Sequence, residues 1–167
     1  MDTSKFEDVL AGNREFVRSY HDSGMSGRAA KGLALITCMD SRIDPLAVLG
    51  MQAGDMKILR NAGARVTDDV LRTLVLATYL LNVDRVIVMP HTDCRMAKNT
   101  EAQVHDVILE ENGVDTRSLE FRTIDDPLST LRADVQRIRS FPFIPDHVVV
   151  AGAMYDVATG ELELYDF

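Results

Sequence analysis

Tryptophan is absent from this 167-residue chain, and cysteine occurs only twice. So few thiols exclude a disulfide-dense secreted scaffold, which staples a small core with several bridges. No stretch approaches the roughly 20 apolar residues that a membrane span needs. Positive charge is also scarce: 18 lysines and arginines face 26 aspartates and glutamates, for a formal net charge of -8. Nucleic acids and anionic membranes are recognised through basic stripes, so neither is expected as a partner. Internal repeats, linkers and low-complexity stretches are missing too. This reads as one domain over residues 1–167, with 1–32 as an amino-terminal helix and loop. Such a length can bury a sizeable core. Met1 to Asp8 includes acidic residues where a secretory signal has a basic start and an apolar run, so a cytoplasmic location is expected.

Both thiols lie where a strand-like apolar run ends. Leu33 to Thr37 leads into Cys38-Met39-Asp40-Ser41-Arg42, and Val86 to Met89 leads into Pro90-His91-Thr92-Asp93-Cys94. Cys38, His91 and Cys94 form a soft ligand set with the Asp40 carboxylate beside it. Zinc takes thiolate and imidazole ligands in a tetrahedron, and a catalytic zinc keeps three protein ligands and an open fourth place. A disulfide between the two is disfavoured in a reducing cytosol. Buried inert thiols are the ordinary alternative for a lone cysteine, but they do not account for polar groups at ligand spacing.

Cys38, Asp40 and Arg42 are two apart and share a face if strand geometry persists, whereas His91 and Cys94 need a turn between them. If the two runs are neighbouring parallel strands, their carboxyl ends meet where open α/β sheets bind ligands, at the point where strand order reverses. Asp40 and Arg42 could instead be a solvated ion pair worth about 0–1 kcal/mol. Their place beside a metal-ligand candidate argues for a supporting role. His21, His105 and His147 lack any such cluster and read as ordinary surface or partly buried residues.

Along the chain, Phe6, Val9, Leu10, Phe16 and Val17 fall at helical spacing within residues 4–20. A loop covers 21–31, and strands are expected over 33–38, 56–60, 85–90 and 147–154. Asp44-Pro45 opens a short helix that Gly50 ends, Gly63 marks a tight turn, and Thr67-Asp68-Asp69 opens a longer helix. The inward stripe of that helix is Val70, Leu71, Leu74, Thr78 and Leu81. Further helices are expected over 101–111 and 127–140, the second with Leu128, Leu131, Val135 and Ile138 inward. A turn at Val157 to Gly160 leads to an antiparallel edge strand over 161–165. Apolar strands separated by helices predict an α/β fold with a parallel sheet of about four strands covered by helices.

Cys38-x-Asp40-Ser41-Arg42, Arg60-Asn61-Ala62-Gly63 and His91-x-x-Cys94, in this order, resemble the β-class carbonic anhydrases, most of all their short, compact subgroup. The motifs span Leu33 to Cys94, and the order of elements extends the likeness to nearly the whole chain. The resemblance implies a four-stranded parallel core with an added antiparallel strand. It implies homodimers or larger homo-oligomers, the amino-terminal helix packing on the partner subunit. It also implies a zinc ion on Cys38, His91 and Cys94, and conversion of carbon dioxide to bicarbonate and a proton by zinc-bound hydroxide. Asp40 and Arg42 match the family's carboxylate–arginine pair: held by Arg42, Asp40 orients the nucleophile; released, it becomes a fourth ligand and closes the site.

Two further readings share this resemblance. Close relatives hydrolyse carbonyl sulfide or carbon disulfide on the same kind of site, and a degenerate zinc-binding domain is the non-enzymatic alternative. The chain departs from the family at Arg95, where a glycine usually follows the second cysteine. The glutamine of plant-like members has no counterpart near Ala29, which suits the short subgroup.

Overall fold

A computed structural model describes residues 3–167. Helix α1 (Glu7–Ser19) carries Glu7 and Asp8 in its first turn, where the helix dipole favours negative charge. Strand β1 (Leu33–Cys38) is buried along its whole length, as a central strand covered on both faces must be. Asp44 caps α2 (Pro45–Val48), its carboxylate accepting from the backbone N–H groups of Leu46 and Ala47. The chain then runs through β2 (Met56–Asn61), α3 (Asp68–Leu80) and β3 (Arg85–Met89).

Helix α4 (Glu101–Asn112) opens on a reciprocal cap between Thr100 and Gln103 and stops at Gly113, whose φ of 69° only glycine adopts freely. Helix α5 (Pro127–Arg139) is capped by Asp126 with proline at its first position. Strands β4 (Val149–Tyr155) and β5 (Leu162–Tyr165) complete the sheet. Its order is β2-β1-β3-β4-β5, the first four parallel and β5 antiparallel at the edge. This is the expected α/β architecture.

Alternation along β1 and β3 sends Ala34, Ile36, Val86 and Val88 into one apolar layer with Leu74 of α3 and Leu131, Val135 and Ile138 of α5. Leu33, Leu35, Ile87 and Met89 enter a second layer with Ile43, Met56, Cys38 and Cys94. Three expectations need correction. Leu128, in the first turn of α5, is 45% exposed, and the buried face of the helix is Leu131, Asp134, Val135 and Ile138. Asp134 is tolerated there because its carboxylate accepts from Arg65 Nε at 2.7 Å. Strand β4 starts at Val149, not His147, since Val148 still donates to Pro145 in a turn. His105 is buried, its Nδ1 2.9 Å from Thr116 Oγ1. No helix among the described residues is long and apolar enough to cross a membrane.

Candidate metal centre

Strand order reverses between β1 and β3, with β2 on one side and β4 on the other. Cys38 is the last residue of β1, and His91 follows β3 by two residues. Thr37 Oγ1 donates to Met89 O at 2.8 Å and ties the two strand ends together. The chain beyond β3 is held by β4: Thr92 N donates to Tyr155 O at 2.9 Å, and Tyr155 N donates to Pro90 O at 3.1 Å. Asp93 then adopts a φ of 56°, left-handed geometry that asparagine and aspartate tolerate, and the reversal brings Cys94 back toward Cys38. The two Sγ atoms lie 4.0 Å apart, and the ligand atoms of Cys38, His91 and Cys94 all lie within 4.8 Å of one another.

All three side chains are buried. His91 Nδ1 lies 2.7 Å from Thr92 O, which can only accept, so this nitrogen carries the proton. The lone pair therefore sits on Nε2, which is buried without a hydrogen-bond partner. Leaving such an atom unsatisfied costs about 1–3 kcal/mol, and a cation between it and the sulfurs removes that cost. Two thiolates each about 2.3 Å from a tetrahedral ion stand about 3.8 Å apart, so the sulfur separation fits one. The Cys38 thiol is pushed below its ordinary pKa, chiefly by the hydrogen bond from Cys94 and further by the backbone N–H groups of Gly63 and Asp40. Cys94 is pushed up in turn, because ionising it removes that donor and sets a second anion against the first. Gly63 has a φ of 78°, and a Cβ there would stand 3.1 Å from Ile124 Cδ1 and 3.2 Å from Met96 Cγ.

Strand geometry does not persist past Cys38, so Asp40 and Arg42 do not meet by alternation. They meet in a turn, where Asp40 Oδ1 accepts from Arg42 N at 2.9 Å. The guanidinium returns to the same carboxylate in two-pronged fashion, Nε to Oδ1 at 3.0 Å and Nη2 to Oδ2 at 2.8 Å. This holds the Asp40 carboxyl well below the usual carboxylate range. Asp40 Oδ2 lies 3.7 Å from His91 Nε2, beside the ligand set but engaged with Arg42. Arg42 is also held from its other side, Nη1 donating to Asp93 Oδ2 at 2.9 Å while Lys98 Nζ sits 2.6 Å from Asp93 Oδ1. A cavity of about 480 Å³ opens above the two sulfurs, walled by these charged groups and by Arg95.

A profile of the family described as carbonic anhydrase matches residues 33–162. The chain is 35% identical over 161 residues to β-carbonic anhydrase 1 of Mycobacterium tuberculosis, covering 93% of this chain and 94% of that protein. The chain belongs to the β-class carbonic anhydrase family. Its structure superposes on a crystal structure of carbonic anhydrase from Streptococcus mutans with a TM-score of 0.92 at 33% identity, covering 99% of this chain and 100% of that one. The carbon disulfide hydrolase of Saccharolobus solfataricus is also similar, 30% identical over 157 residues, covering 78% of this chain and 75% of that protein.

For a β-class carbonic anhydrase chain, residue types and spacing leave three supporting groups without a role. Arg60 donates to the carbonyls of Cys38 at 2.9 Å, Asp40 at 2.6 Å and Ile43 at 3.2 Å, so one guanidinium fixes the whole turn that carries Asp40 and Arg42. Asp93 and Lys98 brace Arg42 from the opposite wall. Their acceptors are backbone oxygens or a carboxylate 51 residues away from Arg42 in sequence, and only the fold brings them together. Arg60 does lie within a recognisable motif, which is the one signal that marks it.

Proposed function

We propose that this chain catalyses the reversible hydration of carbon dioxide to bicarbonate and a proton, on a zinc ion held by Cys38, His91 and Cys94. The observation that carries this reading is the orphaned Nε2 of His91, aimed at two thiols at the floor of a cavity. Two thiolates and an imidazole are a donor set that suits zinc, and a fourth place left free suits a catalytic ion. Bound there, zinc supplies the Lewis acidity that makes water a nucleophile near neutral pH. Thr92 O fixes the His91 tautomer, so the ring presents its lone pair without rearrangement. Asp40 Oδ2 lies close enough to the ligand set to accept a hydrogen bond from the attacking oxygen and turn it toward carbon. Arg42, braced by Asp93, keeps that carboxylate in place and away from the ligand atoms. Stopped-flow hydration assays on protein with one zinc per chain test the proposal. No acceleration between about pH 7 and 9, a range straddling the expected pKa of zinc-activated water, would overturn it.

The similarity to carbon disulfide hydrolases supports a second reading, hydrolysis of carbon disulfide or carbonyl sulfide. Carbon dioxide and carbon disulfide are both neutral and apolar, and Met39, Ala62 and Met96 in the cavity lining suit either. The charged groups Asp40, Arg42, Asp93, Arg95 and Lys98 favour hydration only through its anionic product, bicarbonate. Sulfide release without carbon dioxide hydration would decide for the second reading.

Self-association follows from α1. None of its residues is buried, and Phe6, Val9, Leu10, Phe16 and Val17 are each more than half exposed. Such an apolar stripe is stable in water when another surface covers it, and a second copy of the chain is the occupant that the family resemblance supplies. The full-length protein is expected to run as a dimer or larger assembly at micromolar concentration, and Phe16→Asp to shift it toward monomer. A wild-type mass of one chain by light scattering rules this out.

A further inference from the structure

Arg95 stands directly after Cys94 and lines the cavity that ends on the two sulfurs. Three cations and two carboxylates face this cavity. Arg42 is bound by Asp40 and Asp93, and Lys98 is bound by Asp93. Arg95 has no carboxylate partner among the described residues, and its guanidinium bonds only to the neutral amide oxygen of Asn99. The cavity mouth therefore carries one uncompensated positive charge, in a chain whose formal net charge is -8. A planar guanidinium presents donors in a fork that matches a carboxylate-like oxyanion.

We propose that Arg95 is a specificity-determining residue that binds small monovalent oxyanions, bicarbonate first among them, at the mouth of the metal cavity. This rests on the proposed reaction for the identity of the anion. Carbon dioxide is uncharged and gains nothing from Arg95, and the exposed position of Arg95 in the cavity lining places the contact on bound bicarbonate rather than on the reacting centre. The equilibrium constant of the reaction fixes the ratio of kcat/KM in the two directions, and no substitution changes it. A contact made to bound bicarbonate and not to the transition state must then appear as parallel changes in KM and kcat for dehydration.

Zinc-loaded wild type, Arg95→Ala and Arg95→Lys are compared in both directions at constant ionic strength. Arg95→Ala is expected to raise KM and kcat for bicarbonate dehydration together by about fivefold, the upper end for an exposed charge contact. Arg95→Lys, which keeps the charge, stays nearer wild type. Titration calorimetry with sodium bicarbonate, at mildly alkaline pH where the dissolved pool is nearly all bicarbonate, should give a dissociation constant weaker by the same factor in Arg95→Ala. The wild-type affinity should also fall with added salt, as exposed charge contacts are screened. An unchanged KM for bicarbonate overturns the proposal. So does an equal fall of kcat/KM in both directions, which would place Arg95 in the transition state or in the structure of the site, and so does Arg95→Lys matching Arg95→Ala. A zinc-loaded wild type that fails to hydrate carbon dioxide overturns the proposed reaction instead, and the calorimetric comparison still decides whether Arg95 holds the anion.

Discussion

Cys94→Ser is expected to lose its zinc on purification and, with it, carbon dioxide hydration down to the uncatalysed background. The serine hydroxyl stays protonated at neutral pH and is a poor ligand for a soft-leaning ion. Even partners one bond removed from a ligand cost about 10–100-fold in metal affinity when replaced, so the loss of a ligand costs more. Stability should follow. A metal present at about 100 times its dissociation constant stabilises the folded state by about 2.7 kcal/mol, worth roughly 5–11 °C in melting temperature for a domain of this size. Chelation of wild type should remove that increment, and Cys94→Ser should lack it from the start. The assignment fails if plasma emission analysis finds one zinc per chain in Cys94→Ser.

The grouping of Cys38, His91 and Cys94 into one candidate metal set was legible in the sequence for a physical reason. Each ligand sits within two residues of the end of a strand that apolar periodicity locates, or one turn beyond it, and such strand ends gather at the reversal of a parallel sheet. The sheet itself was legible because buried parallel strands are continuous apolar runs, as β1 is. What escaped depends on contacts that spacing does not encode. Asp40 and Arg42 pair through a turn, which period-two alternation misplaces. Arg60 works through backbone carbonyls, which every residue has. Leu128 is a hydrophobic residue at correct helical spacing, yet it is 45% exposed, while Asp134, satisfied by Arg65, joins the inward face. Burial of a charge that finds a partner 69 residues away is invisible until the fold is known.

Arg42→Ala is expected to depress hydration by about 10²-fold near pH 6.5, the scale of a misplaced reacting group, and by much less near pH 9. In wild type, Arg42 grips both oxygens of Asp40 and keeps that carboxylate 3.7 Å from His91 Nε2. Without the Arg42 guanidinium only the backbone N–H of residue 42 still donates to Asp40 Oδ1, and Oδ2 is free to turn toward the ligand atoms and compete with water for the fourth place. The pH dependence does not come from Asp40 itself. Released from Arg42, its pKa returns toward the ordinary value of about 3.9, so it stays ionised across the whole range. Its competitor, hydroxide, is what varies: scarce at pH 6.5, abundant at pH 9. Competition by the carboxylate is therefore strongest at the acid end. Asp40→Asn in the Arg42→Ala background removes the competing anion and should recover most of the loss at pH 6.5, leaving a smaller, pH-independent deficit from lost orientation. A wild-type to Arg42→Ala rate ratio that is flat from pH 6.5 to 9, or a double variant no faster than Arg42→Ala at pH 6.5, would show that Asp40 does not close the site.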